Sequence, residues 1–148
     1  MADETLPDFS GARGHTVDAK GRTILPSEFR KSLGEAVFLT RGPGGCLWLF
    51  TREEWAVFVR KLSSDSMVNP DVLALQRFFI GSASELHFDD QGRIAIPQLL
   101  RDYAQIGKDI VTAGMGKKLE LWSKPKWDSV LDELTPDVIH QLGTRISL

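Results

Sequence analysis

Asp18-Ala-Lys-Gly-Arg22-Thr-Ile-Leu-Pro26 returns later in the chain as Asp89-Asp-Gln-Gly-Arg93-Ile-Ala-Ile-Pro97, with Arg30 answered by Arg101. A small insertion later, Leu47-Trp48-Leu49-Phe50 lines up with Leu119-Glu120-Leu121-Trp122. Thr51 then answers Ser123, and Trp55, Phe58, Val59 and Leu62 answer Trp127, Val130, Leu131 and Leu134. Self-similarity held in step over this length marks a tandem duplication, and the fold has to be read as two copies of one unit.

Each copy reads in the same order. Residues 15–18 and 86–89 alternate as short strands, and Asp-x-x-Gly is a turn signal whose Gly21 and Gly92 can take positive φ without a steric cost. Residues 23–25 and 94–96 return as strands, and Pro26 and Pro97 open a short helical turn that ends near Gly34 and Gly107. Residues 37–40 and 110–112 predict a third strand. Glycine-rich turns then lead to a fourth at 47–50 and 119–122. Thr51-Arg-Glu-Glu54 is a capping box before a helix with apolar residues at 55, 58, 59 and 62. Residues 63–68 read as a polar linker. Asn69 caps a helix that Pro70 opens and Gly81 stops, and the tail from Thr135-Pro136 reads as one loosely ordered helical turn.

The 148 residues suffice for one domain or two small ones with a real core. No run reaches ~18 apolar residues, which argues against a membrane-spanning helix. The opening Met-Ala-Asp-Glu is acidic and lacks the apolar core of a secretory signal. The single Cys46 leaves no internal disulfide, so a reducing, cytoplasmic setting is expected. A net charge of −2 at first argues against a nucleic-acid partner. Its distribution says otherwise: residues 10–45 hold six basic and three acidic residues, residues 91–126 seven and three, and the other segments are acidic.

Little in the sequence supports catalysis. His15, His87 and His140 are scattered without metal-ligand spacing, and Cys46 precedes an apolar strand as a packed thiol would. Gly42-Pro-Gly-Gly45 lacks the Lys-Ser/Thr of a phosphate loop and reads as a hairpin turn. Asp89 repeats the turn residue Asp18 and Asp90 is expected at the surface, so they form no catalytic pair. The four tryptophans fit buried faces better than ligand stacking. No catalytic residue, metal ligand or cofactor site is therefore assigned, and no small-molecule substrate. The Asp-x-x-Gly-Arg turns stand apart. Each Asp can hold its own Arg in a structural ion pair, yet a guanidinium with five donors can still serve a second partner. Phe78 and Phe79 cannot both face one core from a helix. They form either an oligomer contact or one buried and one half-covered ring.

These residues resemble the MraZ family of bacterial regulators of the division and cell-wall gene cluster, within the AbrB-like fold. The resemblance runs from about Phe9 to Trp127. It rests on the paired D-x-K-G-R-x-x-x-P-x-x-F-R and D-x-x-G-R-x-x-I-P-x-x-L-R stretches, with Gly45-Cys-Leu-Trp-Leu-Phe, Glu54-Trp55 and Glu120-Leu-Trp122 beside them. Family members usually open with Met-Phe-x-Gly; here Phe9-Ser-Gly11 holds that place behind a short acidic stretch.

The resemblance implies an α+β chain in which two tandem AbrB-like swapped-hairpin β units form one pseudo-twofold β-barrel with flanking helices. The boundaries are an extension at 1–11, repeats at 12–56 and 83–127, inter-repeat helices and linker at 57–82, and a C-terminal helix and tail at 128–148. It implies a sequence-specific repressor of its own gene cluster that binds short direct repeats in double-stranded DNA as a ring-shaped homo-oligomer, cytoplasmic and nucleoid-associated, with no membrane partner. Arg22, Lys20, Arg93 and Arg13 are then the DNA-binding residues, and Asp18, Asp89, Gly21 and Gly92 fix the loops. Gln91 stands where Lys20 does, so the first loop should contribute more. The alternative is an AbrB-type protein-interaction module of the antitoxin kind, acting through the acidic C-terminus.

Overall fold

The computed structural model describes residues 9–64 and 68–148. Most of the acidic opening stretch, residues 1–8, and residues 65–67 of the polar linker lie outside the described residues. In the first copy the strands are β1 (Ala12–Thr16), β2 (Arg22–Ile24), β3 (Ala36–Gly42) and β4 (Cys46–Thr51). In the second they are β5 (Ser84–His87), β6 (Arg93–Ala95), β7 (Asp109–Gly114) and β8 (Leu119–Ser123). The helices are α1 (Ser27–Arg30), α2 (Arg52–Leu62), α3 (Pro70–Phe79), α4 (Gln98–Ala104), α5 (Lys124–Asp132) and α6 (Pro136–Arg145). The architecture is α+β, and every strand pair is antiparallel.

The pairing exchanges strands between the copies. A six-stranded sheet runs β1-β7-β8-β4-β3-β5, and β2 and β6 form a separate two-stranded ribbon. Thus β1 pairs with β7 of the other copy, and β5 pairs with β3. Exchanging the copies reverses the sheet order and leaves it unchanged, as a pseudo-twofold requires. In the ribbon Thr23 lies opposite its own repeat mate Ile94, and in the sheet Trp48 lies opposite its mate Glu120. The axis passes through both points.

Strand alternation sorts the side chains into two layers. Val37, Leu39, Leu47, Leu49, Ile110, Leu119 and Leu121 point inward from the sheet, each at most 1% exposed. They meet Leu25, Ile94, Ile96, Phe29 and Leu100 from the ribbon, its flanks and the short helices. The opposite face of the sheet carries Phe38, Trp48 and Phe50, which stack with Trp55 and Phe58 of α2 and with Phe79 of α3. The second copy has a smaller version, Trp122 against Trp127 of α5.

The predicted caps are present. Thr51 Oγ1 accepts from the Glu54 amide at 3.1 Å, and Asn69 Oδ1 from the Asp71 amide at 2.9 Å. Pro26 and Pro97 sit one position earlier than expected, at the N-caps of α1 and α4. In the second copy the left-handed residue is Gln105 (φ 55°), not Gly107, because α4 runs longer than α1 and ends sooner before the next strand. The tail also exceeds its expected single turn. Thr135 Oγ1 caps Val138 at 3.3 Å, Pro136 opens the helix, and α6 extends over ten residues.

Phe79 is 6% exposed between Trp48 and Phe58 and is spent on the chain's own sheet. Phe78 is half-buried beneath the Arg41 guanidinium, 4.3 Å from its ring centre, and packs edge-on to Tyr103. Their helix therefore holds one buried and one half-covered ring. Phe79→Ala is expected to cost about 3–5 kcal/mol in the urea unfolding free energy. Phe78→Ala should cost clearly less.

Candidate nucleic-acid interface

The ribbon presents one face outward. Thr23 and Ile94 point into the core, 2% and 1% exposed. The alternate positions Arg22, Ile24, Arg93 and Ala95 therefore share the other face, where Ile24 is 50% exposed. Arg93 lies opposite Ile24 and Arg22 opposite Ala95, so the two arginines are diagonal neighbours on adjacent strands. Each belongs to a different copy of the repeat.

Each arginine is held by the aspartate that begins its loop. Asp18 Oδ1 accepts from the amides of Lys20 (2.9 Å) and Arg22 (2.8 Å), and its Oδ2 accepts from Arg22 Nε at 2.8 Å. Asp89 repeats this with the amides of Gln91 and Arg93 and with Arg93 Nε at 2.9, 2.8 and 2.8 Å. The Arg22 amide, followed by its guanidinium and the Lys20 amide, holds the Asp18 carboxyl below the usual carboxylate range. Asp89 is shifted the same way by the Arg93 amide, the Arg93 guanidinium and the Gln91 amide. Both clamps stay ionised at neutral pH. The clamp takes only Nε, and the Nη groups of both arginines have no protein partner among the described residues. Four N–H donors per side chain are thus left without a protein partner among the described residues.

Gly21 and Gly92 close the loops at φ of 82° and 78°. A Cβ on Gly21 would stand 2.6 Å from Cζ of Arg101, and one on Gly92 would collide with Nη1 of Arg30. Arg101 from α4 thus lies across the first loop. Arg30, the last residue of α1, reaches the second loop and donates to the Gly92 carbonyl at 3.4 Å. Sequence reading paired these two residues as repeat mates but assigned them no site role. The only signal was their matched spacing, since the contact crosses between copies.

A groove of about 420 Å³ beside the ribbon is lined by His15, Asp18, Arg22, Arg93 and Lys108, among others. A second, of about 470 Å³, joins Asp18 and Ala19 to Arg101 and Lys108. Cations from both copies therefore surround the first loop, with Lys20 exposed at its tip. Arg13 is engaged differently. Its Nε meets Glu28 at 2.6 Å, in a pair whose side chains are 59% and 45% exposed. Cys46 is fully buried, and burial together with the nearby Glu120 charge pushes its thiol up to about 12, so it is inert. Among the described residues no group of three His, Cys, Asp or Glu side chains could hold a metal ion, and no helix is long and apolar enough to cross a membrane.

The duplicated loops are matched by relatives. The family model described as "MraZ protein, putative antitoxin-like" matches twice, over residues 9–78 and 79–146. The chain belongs to the MraZ family. A protein named transcriptional regulator MraZ from Clostridium tetani is 44% identical over 84% of this chain and 87% of its own length. One of the same name from Acetivibrio thermocellus is 47% identical over 82% and 85%. That of Ligilactobacillus salivarius is 42% identical over 84% and 87%. The two MraZ matches divide the chain at the end of α3, so each copy includes the helices that follow its strands. α3 and α6 open alike, Asn69-Pro-Asp-Val72 and Thr135-Pro-Asp-Val138.

Two outcomes follow from this geometry. Gly21→Ala should destabilise the protein by ~1–2 kcal/mol for the left-handed backbone alone. Removing the guanidinium in Gly21→Ala/Arg101→Ala should recover the further loss due to the clash, in a denaturation double-mutant cycle. The second concerns His15, whose Nδ1 lies 2.9 Å from Thr23 Oγ1 and Nε2 2.7 Å from Thr112 Oγ1. Thr23 Oγ1 donates to the Thr16 carbonyl, so it accepts from His15 Nδ1–H. Burial pushes His15 down to about 4, against about 6.5 in an unfolded chain. The unfolded state binds the proton more readily, so this contribution is present above pH 6.5 and is lost as the pH falls towards 4. Urea midpoints measured between pH 7.5 and 4.5 should fall with acidity, and should fall less in His15→Gln.

Proposed function

We propose that this chain is a sequence-specific DNA-binding transcriptional regulator whose reading surface is the β2–β6 ribbon. One observation carries the reading: two arginines, each clamped at Nε, present free Nη edges side by side on the exposed face of a two-stranded ribbon. The major groove of B-DNA admits such a ribbon, and an arginine edge matches guanine O6 and N7. The family's transcriptional regulators support the same reading. Lys20, Arg30, Arg101 and Lys108 are then phosphate contacts that position the ribbon. The first loop contributes more than the second, because Gln91 replaces Lys20. Arg13, already paired with Glu28, has a minor part.

The finer reading is a repressor of its own division and cell-wall gene cluster, cytoplasmic and nucleoid-associated, acting on short direct repeats. The strand exchange is read as an AbrB-like swapped-hairpin barrel. One chain offers few phosphate contacts, and with a salt slope of roughly −0.9 per contact a lone unit would bind weakly. A ring-shaped homo-oligomer that sets several ribbons on repeated sites gains avidity of ~10²–10⁴. The runner-up, an antitoxin-like interaction module, draws on the description of the family model and on the acidic C-terminus.

The deciding measurement is retardation of DNA from just upstream of the chain's own gene, at rising salt. Arg22→Ala should weaken specific binding by about 5- to 150-fold, the equivalent of ~1–3 kcal/mol for one bidentate contact. Arg22→Lys should not restore it, because an ammonium lacks the forked edge. Lys20→Ala should weaken all sequences alike and lower the salt slope by about one. Unchanged retardation by Arg22→Ala would remove the ribbon from the site. No retardation by the wild type, with a co-purifying protein partner, would favour the antitoxin-like reading.

A further inference from the structure

The arginines do not fill the outer face of the ribbon. Across the ladder Ile24 stands opposite Arg93, and Ala95 stands opposite Arg22. Each arginine therefore has an apolar partner supplied by the other copy. The Asp18 and Asp89 clamps hold Nε of each arginine at its own loop, and with both side chains in place Ile24 is still 50% exposed. Single exposed apolar side chains are ordinary on protein surfaces. This one differs in where it lies. Among the described residues, the other exposed large hydrophobic side chains belong to helices, connections and the C-terminal tail, as with Ile139, Leu142 and Ile146. Ile24 is the one that occupies a strand, and it lines the same groove as Arg22, Arg93 and Lys108.

The duplication shows that the fold does not require this side chain. Ala95 holds the repeat-related position, also opposite an arginine, and its strand forms equally well. Ile24 takes no part in the buried core, to which the ribbon contributes Ile94. A β-branched side chain thus stands exposed where a single methyl group suffices for folding. The pseudo-twofold through Thr23 and Ile94 exchanges Arg22 with Arg93 and sets Ile24 against Ala95. The face is symmetric in its charges and asymmetric in its apolar reach.

We propose that Ile24 is a specificity-determining residue that reads the C5-methyl group of a thymine close to the base engaged by Arg93. The inference rests on the DNA-binding reading above and names what the ribbon distinguishes besides guanine. Of the four bases only thymine presents an alkyl group in the major groove, and apolar side chains recognise it by contact. Residues opposite each other in an antiparallel ladder lie about 4.5–5.5 Å apart. Successive bases on one strand are about 3.4 Å apart, so Ile24 falls roughly one to two base steps from the Arg93 contact. Ala95 is too short to make the equivalent contact beside Arg22. The methyl group is therefore read at one end of the ribbon only, which gives the bound site an orientation.

The test is retardation of duplex DNA from just upstream of the chain's own gene, with each thymine of the bound segment replaced in turn by deoxyuridine. That replacement removes the methyl group and keeps every hydrogen-bonding group of the base. The wild type should lose about 4-fold in affinity at one thymine, the worth of one buried methyl-sized group. Ile24→Ala should bind the unmodified duplex about 4-fold more weakly and should be indifferent to deoxyuridine at that position. Its urea midpoint should stay near that of the wild type, because alanine already serves at the matching position. A wild type indifferent to deoxyuridine at every position, or an Ile24→Ala variant that retains the deoxyuridine penalty, would overturn the proposal. An Ile24→Ala variant that no longer folds would overturn it equally, by showing that the side chain serves the fold. Failure of the functional reading looks different. Absence of specific retardation by the wild type, or retardation unchanged in Arg22→Ala, removes both readings. Specific, Arg22-dependent retardation without an Ile24-dependent methyl penalty removes only the role of Ile24.

Discussion

The structure depends on a pairing that neither half of the chain can make alone. β2 has no strand neighbour within its own copy except through the Asp18 turn, and its ladder is completed by β6. The same holds at the sheet edges, where β1 closes on β7 and β5 on β3. The backbone donors and acceptors of these short strands, if left unpaired in a buried setting, would each forfeit the free energy of a lost hydrogen bond. The core is shared for the same reason: α4 of the second copy packs on β3 and β4 of the first, and Tyr103 donates to the Gly42 carbonyl at 2.6 Å. Strand exchange makes the duplication a single folding unit.

That constraint builds the candidate interface. Arg22 and Arg93 are far apart in sequence, and only the β2–β6 ladder sets them on adjacent strands facing the same way. The aspartate clamp then restricts each side chain by two-point contact through the amide and Nε. A long side chain that is held before binding loses less rotamer freedom when it engages a ligand. Arg30 and Arg101 brace each loop from the opposite copy, coupling loop position to the integrity of the exchanged fold. The net charge of −2 conceals this polarity, because acidic helices and ends offset the basic β regions.

The two copies are alike in backbone and unlike in what they expose. Where the pseudo-twofold crosses the sheet, Trp48 faces Glu120, and the carboxylate accepts from Trp48 Nε1 at 3.0 Å and from Trp122 Nε1 at 2.9 Å. Two identical residues at that point could not make this arrangement. Lys20 against Gln91, and α3 against α6, continue the divergence outward. A symmetric scaffold therefore carries an asymmetric surface, which gives the molecule a direction.

The sequence by itself determined that the chain is a duplicated unit, the order of strands and helices within each copy, and the two Asp-x-x-Gly-Arg turns with their left-handed glycines. It did so because turn chemistry, capping and alternation are local: Asp18 reaches Arg22 and Thr51 reaches Glu54 within a single turn. It also identified Cys46 as a packed thiol from its apolar neighbours. Only the tertiary structure decided that Phe79 is buried while Phe78 is half-covered, that Arg13 is engaged by Glu28, that Arg30 and Arg101 cross to the opposite loops, and that the tail forms a full helix with an uncovered face. Each of these depends on which surfaces meet after the strands exchange. Residues distant along the chain carry no periodic signal of that meeting.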